Sequence, residues 1–129
     1  LKSFYRVKTM GRGFDYFQNA FVDGGSLDKA KFTQAFAIDT PESVFQYTDY
    51  GAVCEKGMTK GFTEFEKLCD NFLMEFTKKA KFQALTLEPI IAYLYGKETE
   101  IKCVRIVLTS KLNRIDANLI KERLRDAYV

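Results

Sequence analysis

Few residue types able to do chemistry are present, and those that are stand apart. Histidine is absent from the 129 residues. That removes Ser-His-Asp and Cys-His nucleophiles, His-containing zinc sites and imidazole proton shuttles together. Cys54, Cys69 and Cys103 are odd in number, widely spaced and form no Cys-x-x-Cys pair. They cannot supply a four-thiolate metal site and do not read as a disulfide framework, so reduced, mostly buried thiols of a cytosolic protein are expected. Gly11-Arg12-Gly13 is the one phosphate-loop candidate. It lacks a preceding strand, further glycines and a Gly-Lys-Ser/Thr ending. The acids are scattered, with no close pair in an expected cleft, whereas paired-carboxylate hydrolysis needs two facing groups at a defined separation. No catalytic residue, cofactor site or metal site is assigned.

Two charged groupings invite a functional reading. The first interleaves cations with rings: Lys2, Phe4, Tyr5, Arg6, Lys8, Arg12 and Phe14. Such a stripe can grip nucleic acid, cations neutralising phosphate while rings stack on bases. The favoured alternative is a helix with an apolar inside and a solvated basic outside, since a net charge of +3 makes no broad positive field. The second grouping is Lys97, Glu98, Glu100, Lys102 and Arg105. A Glu98–Lys102 pair at i,i+4 on a helix surface is one account. The other has Glu98 and Arg105 partly buried, anchoring neighbouring helices or loops, because buried charges need partners.

The elements that must carry these residues read as helices. Hydrophobic residues make up 47% of the chain, with 12 Phe among them, enough for a packed core. Between the glycines the apolar period is 3.6 and not 2. A helix is expected after Gly24-Gly25 with Ser26 as its N-cap, and another from Thr40-Pro41-Glu42 to about Asp49. Tyr50 to Phe62 reads as loop-rich. Thr63 and Glu66 form a capping box for a helix presenting Phe65, Leu68, Cys69, Phe72 and Phe76. The longest helix runs from near Glu88 to about Asn113, carrying Ile90, Leu94, Ile101, Leu108 and Leu112 in one stripe. Asp116 then caps a final helix with Ile120, Leu124 and Ala127 inward. A long helix that is apolar on several sides is central in a bundle or pressed between partners. Its mid-segment charges exclude a membrane span. The fold class is all-α, an irregular multi-helix bundle of six or seven helices. Leu1 is not an initiator Met, and core-like spacing begins at once with Phe4, Tyr5 and Val7, so a fragment is expected.

The run Pro89-Ile90-Ile91-Ala92-Tyr93-Leu94-Tyr95-Gly96-Lys97-Glu98-Thr99-Glu100-Ile101-Lys102-Cys103-Val104-Arg105-Ile106 resembles the signature of the C subunit of V-type (A/V-type) rotary ATPases. In the eukaryotic enzyme that part is called the d subunit. Lys97, Glu98, Glu100 and Arg105 match that motif one by one, and Thr99 and Cys103 fall at its variable places. Leu1 to Arg6 is similar to the family's helix ending in Arg, and Phe21 to Leu27 to its Gly-Gly turn. Lys111-Leu112-Asn113 and a closing helix ending near Tyr128-Val129 complete the likeness.

The resemblance implies the C-terminal portion of a longer protein. Residues 1–22 are then the end of a preceding domain or joint, and 23–129 the C-terminal helical domain of a three-domain, pseudo-threefold funnel. It implies a non-catalytic central-stalk part on the cytoplasmic side of the membrane, linking the rotating shaft to the proteolipid ring for proton or sodium transport. Its partners are then the central-shaft subunits and the ring, with membrane association only through the complex. No cofactor, nucleic acid or small-molecule substrate is implied. Lys97, Glu98, Glu100 and Arg105 are carried forward as a structural or interface motif. A free-standing helical adaptor is the alternative, and a nucleic-acid-binding helical domain the third reading.

Overall fold

Helices carry most of the chain in the computed structural model, which describes residues 1–83 and 85–128 and contains no strand among them. In chain order they are α1 (Lys2–Thr9), α2 (Phe14–Gln18), α3 (Lys29–Ala37), α4 (Glu42–Phe45), α5 (Gly51–Lys60) and α6 (Phe62–Lys79). A 3-10 turn (Ala80–Phe82), α7 (Glu88–Leu112) and α8 (Ala117–Arg123) complete the order. That is eight α-helices among the described residues, where the periodicity anticipates six or seven. The all-α class stands.

The chain divides into two compact units, Leu1–Glu66 and Lys67–Val129. The joint expected near residue 22 falls within the first of these. In that unit, Phe4 on α1 is fully buried and meets Phe36 at 4.9 Å and Phe45 at 5.6 Å between ring centroids, both edge to face. Phe17, Phe21 and Phe32 extend the cluster through further tilted and edge-on contacts. Such ring pairs add about 0.5–1.5 kcal/mol each beyond the area they bury. The cations of the opening stripe are taken up by structure. Lys8 donates through Nζ to the carbonyls of Ala35 (2.7 Å) and Ile38, satisfying acceptors at the end of α3. Arg6 pairs with Glu66 at 2.6 Å, and the Arg12 guanidinium lies 6.0 Å from the Tyr16 ring centroid. Phe4 and Val7 are buried while Arg6 and Arg12 stay exposed, the pattern of an apolar inside and a basic outside.

The largest correction concerns Tyr50 to Phe62, expected as loop and found as α5. Its glycines read as breakers but serve close packing. A Cβ on Gly57 would stand 2.8 Å from Cα of Phe65, and one on Gly51 2.2 Å from the Gln46 carbonyl oxygen. Gly61, at φ +103°, then ends α5 and lets α6 begin at once with Phe62. Thr63 is consequently already inside the helix, and Glu66 is taken by Arg6, so the expected capping box is not built. Phe65 on that helix is buried as expected, but Phe76 is exposed.

Smaller corrections follow similar local competition. α3 starts at Lys29 with Asp28 at its N-cap, two residues beyond Ser26. α4 stops at Phe45 and not near Asp49. There the Thr48 hydroxyl donates to the Phe45 carbonyl at 2.6 Å, occupying an acceptor that helix continuation would need. In the second unit, Met74, Ala92 and Tyr128 form a small core with Ala80 and Tyr95 against it. α7 runs over nearly the expected span, with Pro89 in its first turn. Asp116 caps α8, its Oδ1 accepting from the Asn118 backbone N–H at 2.8 Å. α8 ends at Arg123, short of the expected end near Tyr128-Val129; Val129 lies outside the described residues. Ile120 is buried and Leu124 half-buried, but Ala127 lies beyond the helix and is exposed.

Candidate interface helix

Helix α7 carries every residue of the charged motif and turns an unexpected side to its own unit. Its buried residues are Ala92, Gly96, Thr99 and Ser110. At about 100° per residue they share one line with Cys103, so the helix packs along a row of small side chains. Gly96 is essential to this arrangement: a Cβ there would lie 2.7 Å from Cβ and Cγ of Tyr128. The tail that brings Tyr128 to this point is tied down at several places. Arg125 Nε donates to Asp70 Oδ2 at 3.0 Å, and the Asp126 N–H donates to Asn71 Oδ1 at 3.0 Å. Lys67 Nζ reaches the Glu122 carbonyl at 2.9 Å, and Lys81 Nζ sits 4.4 Å from the Tyr128 ring centroid.

Facing away from this row is the apolar stripe visible in the sequence. Ile90, Leu94, Ile101, Leu108 and Leu112 are all more than half exposed, joined by Val104 and Ile91. The two faces of α7 are therefore inverted relative to an ordinary amphipathic helix, with small residues inside and branched aliphatics outside.

The charged motif lies along the exposed side. Lys97 and Glu100 form an i,i+3 pair at 2.8 Å, both solvent-accessible, and the Glu100 carboxylate raises the Lys97 pKa through that hydrogen bond and its charge. Glu98 and Arg105 are exposed and make no hydrogen bond or ion pair among the described residues. Among the described residues the expected Glu98–Lys102 pair is not formed, and neither Glu98 nor Arg105 anchors a neighbouring element. Tyr95, half-buried beside the small-residue row, has its phenol pKa raised by desolvation and then by the Asp70 charge. Sequence reasoning misses Gly96, Tyr128 and the Asp70–Arg125 pair. The legible signal is the i, i+4, i+7, i+11 run of Ala92, Gly96, Thr99 and Cys103, which marks a close-packing face.

Among the described residues no group of three His, Cys, Asp or Glu side chains could hold a metal ion, and no helix is long and apolar enough to cross a membrane. What the described residues of this all-α chain present is a long helix with an exposed apolar side.

The particular family follows from the whole chain. The model of the ATP synthase (C/AC39) subunit family matches residues 1–123, and the chain belongs to that family. It is 31% identical over 84 residues to the C subunit of the V-type sodium ATPase of Enterococcus hirae, covering 63% of this chain and 26% of that relative. The chain thus spans about a quarter of that protein's length. No solved structure matches it.

Proposed function

We propose that the chain serves as the C-terminal helical part of a non-catalytic C-type subunit in a V-type ATPase or ATP synthase. In that role it links the rotating central shaft to the membrane proteolipid ring and turns with them on the cytoplasmic side, so that ATP hydrolysis or synthesis is coupled to proton or sodium movement. The observation that carries the reading is the family match over residues 1–123. Two structural features support it. A torque adaptor must be stiff, and the interlocked phenylalanines of the first unit are the close-packed material that transmits strain. It must also grip its neighbours, and α7 displays an apolar, charge-flanked face suited to contact. The motif residues Lys97, Glu98, Glu100 and Arg105 act in this reading at an interface, where complementary charge fixes register.

The test is purification of the full-length protein from its native membrane after detergent solubilisation. Co-elution with shaft and proteolipid-ring subunits, together with loss of ATP-driven ion transport on its deletion, is the expected result. A protein that elutes free of both, in membranes whose ATP-driven transport does not depend on it, points to a free-standing adaptor.

A further inference from the structure

Past the end of α8 the chain leaves the backbone hydrogen-bond network. Leu124 donates its N–H to the Lys121 carbonyl at 3.2 Å, and beyond it no backbone–backbone hydrogen bond forms among the described residues. What holds residues 124–128 is a set of side chains, each meeting one part of the segment. Asp70 takes the Arg125 guanidinium at 3.0 Å, Asn71 Oδ1 takes the Asp126 N–H, and the Tyr128 ring lies over Gly96. Met74 and Ala92 pack with that ring, and Tyr128 is buried. The receiving residues come from α6 and α7, with Lys81 of the 3-10 turn facing the ring.

A groove recognises an extended peptide in this manner: a carboxylate for a guanidinium, an amide for the backbone and a notch for a ring. Gly96 makes the notch. Glycine is among the least favourable residues in a helix interior, and the three atoms nearest an added Cβ there all belong to Tyr128. A segment held without backbone hydrogen bonds opens more readily than the helices beside it. We propose that residues 124–128 form a detachable strap, an intramolecular ligand that enters and leaves the notch as one unit while α6 and α7 stay folded. With the strap out, the notch accepts another extended segment of the same chemistry, an arginine three residues ahead of a tyrosine. Neither statement depends on the coupling role, because both rest on contacts within the second unit.

Hydrogen exchange of the full chain tests the strap. The Asp126 amide is expected to exchange at least about a hundredfold faster than the Thr99 amide, at a rate that low urea leaves unchanged. Tyr128→Ala should speed Asp126 exchange by about tenfold or more, since the contacts of one unit open together. Fraying of separate residues would leave that rate unchanged and overturns the proposal, as does exchange of both amides with one urea dependence. The notch is tested with the amidated peptide Leu-Arg-Asp-Ala-Tyr, labelled at its N-terminus and followed by fluorescence anisotropy. The full chain carrying Tyr128→Ala should bind it at least about tenfold more tightly than the unaltered chain, whose own strap competes at about millimolar effective concentration. Gly96→Ala added to that variant should fill the notch and abolish binding. Binding that ignores Gly96→Ala, or no binding to Tyr128→Ala, overturns the exchangeable site. Loss of helical dichroism in Tyr128→Ala would show that the strap is part of the fold, which overturns the proposal outright.

Discussion

The two units of this chain solve the same packing problem in opposite ways. Leu1–Glu66 buries its largest side chains, and its interior is a run of phenylalanine rings with Phe4 at the centre. Lys67–Val129 buries small ones: Ala92, Gly96, Thr99 and Ser110 line the inner face of α7, and its long aliphatics point to solvent. The first unit obeys the hydrophobic effect as a self-sufficient domain does. The second leaves a long apolar side of α7 exposed. Total hydrophobicity therefore does not locate a core. What matters is which side chains can approach each other, and a glycine can decide it.

The contrast is tested most severely at Phe4. Phe4→Ala removes a ring that touches four others and should cost about 3–5 kcal/mol, read from urea denaturation monitored by far-ultraviolet dichroism. A loss under about 1 kcal/mol would show that the ring cluster is not the stabilising centre. Next in size is Gly57→Ala. The added methyl meets the backbone of Phe65, which cannot step aside cheaply, and about 1–3 kcal/mol of destabilisation is expected despite the gain in helix propensity. Gly96→Ala tests the second unit in the same way. Its clash is with Tyr128 near the chain end, and the propensity gain of about 1 kcal/mol offsets part of it. A net loss of about 1 kcal/mol, with increased proteolysis after Arg123 or Arg125, is the expected signature.

Tyr5 adds a pH limb to the first unit. Its hydroxyl donates to the Met58 carbonyl at 2.7 Å, and desolvation, then the Glu42 charge, raise its pKa above the ordinary 10.0. A folded-state pKa above the unfolded one means the stabilisation is full below about pH 10 and is lost as pH rises through the folded value. Tyr5→Phe should therefore cost about 1 kcal/mol at neutral pH and flatten the alkaline decline, leaving the share due to Tyr95. The smallest effects belong to the exposed side of α7. Glu98→Ala, Arg105→Ala and Ile101→Glu should each change stability by no more than about 0.5 kcal/mol. A loss above about 2 kcal/mol at any of them would mean that this face is covered within the chain, and the contrast between the units would collapse.

Much of the helical layout is legible in the sequence, because it rests on interactions a few residues apart. The span of α7, Pro89 in its first turn and the Asp116 cap of α8 all follow from local stereochemistry and hydrogen bonding. The departures share a cause. Gly51, Gly57 and Gly61 make Tyr50 to Phe62 look like a loop, yet only Gly61 of the three adopts positive φ, and the other two accommodate Gln46 and Phe65. Thr63 and Glu66 have the right spacing for a capping box, but Arg6, sixty residues away, claims the carboxylate. Glu98 and Arg105 stand out as a pattern, while their exposure depends on which face of α7 the tail covers.

Residue types and spacings within a few turns are enough for the all-α class, the length of the dominant helix and the absence of imidazole chemistry. The block from Lys97 to Arg105, which carries the family likeness, is of the same kind. That the Leu94–Ile101–Leu108 side of α7 faces outward is a matter of tertiary packing alone. Periodicity reports that two faces differ without saying which is buried. Here Tyr128 settles it, because its ring fits over Gly96 and would collide with any larger side chain at that position.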